Sequence, residues 1–242
     1  MTTAAPILPR SAAAAAVARW RRQGALLAVV ACLAFSAAMV SALDTEQLTR
    51  VINEAREHYG LDAVIRLRQW AGLMESASNL PEMEKLRLVN SFFNKLPNIE
   101  DAEHWGVPEY WATPVELLAS DGGDCEDFTL AKYFTLREIG VADERLRITY
   151  VKAYLRESRQ FQSHMVLTYY PTPDAVPLVL DNLVSAVKPA TERTDLLPTY
   201  NFNATGLWTA KQREAGKRIG DADLLPSWQD FKSRLLVMVR AK

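Results

Sequence analysis

The sequence predicts an α+β fold: a helical N-terminal part, then a cysteine-bearing helix packed on an antiparallel sheet. Three observations predict it. Apolar residues recur at helical spacing through the first half of the chain. The segment "GGDCEDFTLAKYFTLREIG" passes from glycines and acids around a cysteine into an apolar-rich run that ends on a glycine. After Gly140 the texture changes to short alternating or β-branched segments separated by turn residues.

The N-terminus precedes this fold. "ARWRRQG" (18–24) is basic, "ALLAVVACLAFSAAMV" (25–40) is apolar and uncharged, and "VSA" (40–42) is small. That order marks a secretory signal. Residues 1–42 therefore read as a signal peptide cleaved after Ala42, or as an uncleaved inner-membrane anchor. Lipid attachment at Cys32 is the poorest fit, because the apolar run continues beyond it. One domain is expected over residues 43–242.

Within it, "DTEQLTRVINEAREHYG" places Leu48, Val51, Ile52 and Ala55 on one helical face and stops at Gly60. A second helix follows with Val64, Leu67, Trp70 and Ala71. A third opens at Pro81 and carries Leu86, Val89, Phe92 and Phe93. A short helix is expected after Pro114. In the cysteine segment Asp124 suits the N-cap, Glu126 and Asp127 the first turn, and Gly140 the C-terminal cap. Its apolar residues cover so much of the circumference that this helix should be buried.

Strands are expected at "LRITYVKAYL" (146–155), "HMVLTYY" (164–170) and "LVLDNLV" (178–184). The last two flank the turn-rich "PTPDAVP" and read as an antiparallel hairpin. A turn centred on Thr172 and Pro173 makes opposed residue numbers sum to 345, which sets His164 against Asp181 on one side of the sheet. Pro177 lengthens the loop enough to permit a shift of a residue or two. "NFNATGLWTAKQREAGKRIGDADLL" reads as irregular connection, and "PSWQDFKSRLLVMVRAK" as a closing helix.

The composition, 49% apolar and 24% charged with a net charge of −1, is that of a globular domain. With no basic stretch interleaved with aromatics in the body, it argues against a nucleic-acid partner. The chain has two cysteines, and removal of the signal leaves only Cys125. A lone thiol in an oxidising compartment is either buried and inert or kept for its reactivity.

A cysteine nucleophile needs a base, a group to orient that base, and donors for the developing oxyanion. Cys125, His164 and Asp181 can fill the first roles in that chain order, and the Cys125 amide at a helix start is the natural oxyanion donor. The Trp111 indole is a second candidate donor. Taken singly, each has a commoner structural reading: a small buried side chain, a satisfied core histidine, a strand-ending aspartate. Their joint placement on a helix start and a hairpin favours catalysis. His58 and His104 lack such company and read as surface residues.

The blocks "GDCEDF…AKY…L…G", "HMVL" and "LDN", in this order, resemble the bacterial transglutaminase-like cysteine peptidases of the periplasmic adhesin-releasing type. The resemblance implies a papain-like core, with Cys125 as nucleophile, His164 as base and Asp181 as its orienting partner. It also implies Ca²⁺ dependence, with Asp124, Glu126 and Asp127 as metal ligands. Elementary electrostatics agrees: three acids beside Cys125 raise the thiol pKa unless a cation offsets them, and hard carboxylate oxygens suit Ca²⁺. The plainer alternative is that these acids only cap and charge-match the helix.

By the same resemblance the substrate would be the N-terminal region of a large repeat-rich adhesin, cut to release cells from a biofilm. An inner-membrane cyclic-di-GMP receptor would sequester the enzyme in the periplasm. Two rivals stand beside this reading. The same triad serves acyl transfer to amines or glutamine deamidation, and a non-catalytic calcium-dependent binding module could keep the fold.

Overall fold

The computed structural model describes residues 49–209 and 217–240. The chain falls into two units, Met1–Arg50 and Val51–Lys242, and the second contains the whole sheet. The expected signal or anchor at 1–42 and the start of the first helix lie outside the described residues.

The first two expected helices form one hydrogen-bonded run, α1, over residues 51–77. Gly60, where a stop was expected, has φ 82°. It departs from the right-handed path without ending the run, which glycine alone does cheaply. Ala55, Ala63, Val64 and Leu67 are the buried face. Helix α2 (Glu82–Phe93) follows Pro81, which is its N-cap residue. A short helix α3 (Asp101–His104) and α4 (Pro114–Ser120) lead to α5 (Cys125–Glu138). Gly140, at φ 90°, ends α5 two residues after its last helical turn.

Among the described residues the sheet has seven strands, all antiparallel: β1 (Leu146–Leu155), β2 (Gln160–Tyr169), β3 (Leu178–Leu180), β4 (Lys188–Pro189), β5 (Leu196–Asn203), β6 (Gly206–Thr209) and β7 (Arg218–Gly220). Their spatial order is β4-β3-β2-β1-β5-β6-β7. The stretch read from sequence as irregular connection thus supplies the end of β5 and all of β6 and β7, and that expectation is corrected. Pro198 is what disguises β5. It pairs with Val151 where the β1–β5 register shifts, one of the places a sheet tolerates proline.

Helix α5 lies on β2 and β1. Phe128, Leu130, Ala131, Tyr133 and Leu136 are buried with Met165, Leu167, Leu146 and Ile148. The closing helix α6 (Pro226–Arg240) covers the other side of α5. Phe231 and Trp228 meet Phe134 with ring centroids 5.3 and 6.0 Å apart. The opposite face of the sheet carries a second, smaller cluster of Val151, Ala153, Val166, Val179 and Leu196. Two layers therefore grip the helix whose first residue is Cys125.

Candidate active site

Cys125 opens α5 because the residues before it stop any other path. Asp124 Oδ1 accepts the Glu126 N–H at 3.2 Å, and Asp127 Oδ2 accepts the Asp124 N–H at 3.3 Å, so two acids cap the helix reciprocally. The glycines just upstream are required by space. Gly122 has φ 149°, and a Cβ on it would lie 2.8 Å from Ile99 Cδ1 and 2.9 Å from the Pro97 carbonyl. A Cβ on Gly123 would lie 2.3 Å from Asp127 Oδ2 and 2.9 Å from Leu117 Cδ1. Gly123→Ala is therefore expected to destabilise the fold by about 1–3 kcal/mol through forced displacement of the Asp127 carboxylate. A denaturant melt reads it, and an unchanged midpoint would contradict the packing described.

The thiol of Cys125 is half-buried and donates to Glu126 Oε2 at 2.7 Å. Burial pushes its pKa well up, and the charge and hydrogen bond of Glu126 and the charge of Asp124 push the same way. The backbone N–H of Met165 works against them. The Cys125 amide itself makes no hydrogen bond among the described residues, so a donor at the helix start is free for a ligand oxygen.

His164 and Asp181 meet as the hairpin reading requires, though in another register. Leu167 pairs with Leu180, Thr168 with Val179 and Tyr169 with Leu178, so opposed numbers sum to 347 and not 345. The turn is longer because "PTPDAVP" has two more residues in it than a centre at Thr172 and Pro173 allows. A shift of two preserves the face, where a shift of one would invert it. His164 Nε2 and Asp181 Oδ1 are 2.8 Å apart, both residues fully buried. Strand β3 ends at Leu180, not at Val184 as expected. Asn94, the C-cap of α2, donates to the Asp181 carbonyl at 2.7 Å, and Asn90 of α2 donates to that of Ser185 at 2.8 Å, so this segment is held by side chains of the helix and its cap and not by a neighbouring strand.

Burial raises the Asp181 pKa, but the hydrogen bond and charge of His164, the Arg193 guanidinium and the Leu183 N–H prevail and hold it at about 2. The carboxylate is thus ionised and fixes the imidazole through Nε2, which leaves Nδ1 as acceptor. Cys125 and His164 line one cleft with Asp124, Glu126, Asn98 and Asn182. A thiol and an oriented imidazole in one cleft can exchange a proton, and the thiolate so formed is a nucleophile.

The acids reach further than the sequence indicated. Asp124, Cys125 and Glu126 each place a ligand atom within 4.8 Å of the others, and so do Asp101, Asp124 and Asp127. Asp127 turns inward, accepting the Ala112 N–H at 2.6 Å, and Asp101 Oδ2 accepts the Tyr110 N–H at 2.5 Å. Asp101 Oδ1 is buried without a hydrogen-bond partner among the described residues. Burial, then the charges of Glu126, Asp127 and Asp101, pushes Asp124 up to about 9, and Asp127 and Asp101 are also raised, chiefly by burial. Crowded carboxyls with an orphaned oxygen form an all-oxygen donor set that suits a hard divalent cation. Asp101 escaped sequence reasoning because it lies 23 residues before Asp124 in an acidic loop that looks solvated.

The surroundings of the cleft bear on three other residues. Trp111 is buried beside Phe202, its indole N–H has no partner among the described residues, and it does not line the cleft. His58 is exposed as expected. His104 is not a plain surface residue: it is half-buried, with Nε2 2.8 Å from Ser120 Oγ.

Comparison with known proteins follows the same lines. The family model of the bacterial transglutaminase-like cysteine proteinases matches residues 71–205, a span that holds Asp101, Cys125, His164 and Asp181. Among solved structures, LapG of Legionella pneumophila is 39% identical, with a TM-score of 0.66 over 78% of this chain and 97% of that one. An EGTA-treated structure of the same Legionella protein gives 40% identity and a TM-score of 0.67, again over 78% and 97% of the two chains. A calcium-bound one gives 39% and 0.65, over 78% and 98%. No curated protein matches the chain. A thiol at the mouth of a buried helix, on a sheet that carries a paired imidazole and carboxylate, is thus found in a chain that belongs to the bacterial transglutaminase-like cysteine proteinases.

Proposed function

We propose that the protein is a calcium-dependent periplasmic cysteine endopeptidase that cuts the N-terminal region of a large repeat-rich surface adhesin and so promotes release from a biofilm. The observation that carries the catalytic part is that His164, held by Asp181 at 2.8 Å, lines the same cleft as Cys125. His164 Nδ1 takes the thiol proton. The sulfur attacks the scissile carbonyl carbon, and the Cys125 N–H meets the developing oxyanion. The imidazolium then gives its proton to the leaving amine, which departs and leaves a thioester on Cys125. A water, deprotonated by His164, displaces the sulfur and completes hydrolysis. Asp181 stays ionised throughout and steadies the imidazolium.

Asp124, Glu126 and Asp127, joined by Asp101, would hold calcium, whose charge would offset the acids that oppose a thiolate at Cys125. The calcium-bound form of the Legionella relative supports the choice of ion. Export rests on the basic, apolar and small-residue order of residues 1–42, which leaves a single peptidase domain at 43–242. An inner-membrane cyclic-di-GMP receptor as inhibitory partner belongs to the same reading.

The test is incubation of the purified protein with an N-terminal adhesin fragment, with and without chelator, and location of any cut by mass. New termini, lost on chelation, are expected. An amine-linked or deamidated product without new termini would replace hydrolysis by acyl transfer, and no product of either kind would leave the binding-module reading.

A further inference from the structure

We propose that Arg193 is the positioning residue that locks the carboxylate of Asp181, and through it the imidazole of His164, in the orientation the reaction needs. The inference rests on the assignment of His164 and Asp181 to that reaction. Asp181 uses Oδ1 twice, for His164 Nε2 at 2.8 Å and for the Leu183 N–H at 3.0 Å. Among the described residues its other oxygen, Oδ2, has no further hydrogen bond, and Arg193 Nη2 stands 2.7 Å from it as an ion pair. A carboxylate held at one oxygen can rotate about its last torsion, a soft and broad one. A guanidinium on the second oxygen removes that freedom.

The guanidinium is itself fixed from behind. Asp195 receives Nε at 3.0 Å and Nη2 at 2.7 Å, the forked grip that arginine makes and lysine cannot. Arg193 is only 4% exposed. Its backbone is tied on both sides: its N–H donates to Ala190 and its carbonyl receives Leu196, each at 3.1 Å. Ala190 in turn donates to Pro177 at 2.8 Å, just before β3 begins. The same short strand therefore delivers Asp181 at one end and anchors the arginine turn at the other.

Alternation along the sheet explains why the partner comes from this side. His164 pairs with Val151 and shares the parity of Val166, two residues of the smaller cluster on the sheet face away from the main core, and Asp181 directly follows the end of β3. Arg193 lines a pocket with those two valines. The other cation that bears on Asp181 is Lys132 of α5, fully buried and lowered to about 7 by burial, with the Asp181 charge pulling it back up. No ion pair joins Lys132 to Asp181 among the described residues, so the geometric hold falls to Arg193.

The test uses the calcium-supplied full chain with Arg193→Met, Arg193→Lys and Asp195→Asn. Two quantities are read: kcat and KM on the adhesin fragment, and the downfield proton resonance of the His164 ring N–H in the resting protein, assigned by its loss in His164→Gln. Arg193→Met is expected to lower kcat by about 10–100-fold with KM little changed, as loss of an outer supporting partner does. The resonance should broaden into solvent exchange, and Arg193→Lys, which keeps the charge but not the fork, should restore both the resonance and kcat only in part. A folded Arg193→Met protein that keeps its resonance overturns the proposal, whatever its kcat. If that variant does not fold, Asp195→Asn carries the test, since Asp195 is a third exposed. A smaller fall in kcat with a broadened resonance is then expected, and no change in either overturns it. Failure of the unaltered protein to cleave would refute the hydrolase reading alone, because the resonance still judges the hold of Arg193 on the pair.

Discussion

Cys125→Ala is expected to reduce cleavage of the adhesin fragment by about 10⁴-fold or more, because alanine has no atom to form the bond to the scissile carbonyl carbon. The fold should not suffer. The side chain is half-buried, and its partners are Glu126 and the Met165 amide. Removing it also removes a group whose ionisation burial and two acids oppose. The melting temperature should therefore hold, which separates loss of chemistry from loss of structure. Thermal melts beside mass-resolved digestion check both halves at once. Persistent cutting at the same bond by a folded Cys125→Ala protein would end the covalent mechanism.

How much of the fold and site is legible in the sequence depends on whether the signal is local. The N-cap at Asp124, the acids in the first turn and the glycine end of α5 are short-range features, and each stands where the sequence places it. The hairpin is legible in kind but not in register. The loop is two residues longer than its turn signals suggest, and the pairing of His164 with Asp181 survives only because side chains alternate with a period of two. Strands β5 to β7 escape notice because their cues are non-local: Pro198 sits at a bulge against Val151, and Asn201 and Asn203 look like turn residues until β1 and β6 pair with them. Asp101 and Arg193 are invisible for one shared reason. A charged residue in a polar stretch reads as solvated, and only the tertiary fold turns it inward.

Chelation should take activity close to background and lower stability, with Ca²⁺ restoring both better than Mg²⁺. The acids argue for this through their own electrostatics. Asp124 is pushed up to about 9 by burial and then by the charges of Glu126 and Asp127, against about 3.9 in an unfolded chain. A carboxyl raised in the folded state contributes stability that is complete below about pH 4 and is lost as pH climbs toward its folded value near 9. Asp127 and Asp101 shift in the same direction. Asp181, lowered to about 2, acts only at acid pH and leaves that window alone. The cation-free protein should therefore melt at steadily lower temperature from about pH 5 to 8. The calcium-loaded protein should vary little, so the gap between them widens with pH. At a free concentration about 100 times its dissociation constant, the ion adds about 2.7 kcal/mol by mass action. Mg²⁺ should do less, since it demands near-ideal octahedral geometry and keeps its waters, whereas clustered side chains of differing reach suit the looser shell of Ca²⁺. Asp101→Asn should raise the Ca²⁺ concentration needed for half-restoration while leaving His164 and Asp181 paired. Equal activity and an equal melting curve in excess chelator would leave the four acids as helix caps and nothing more.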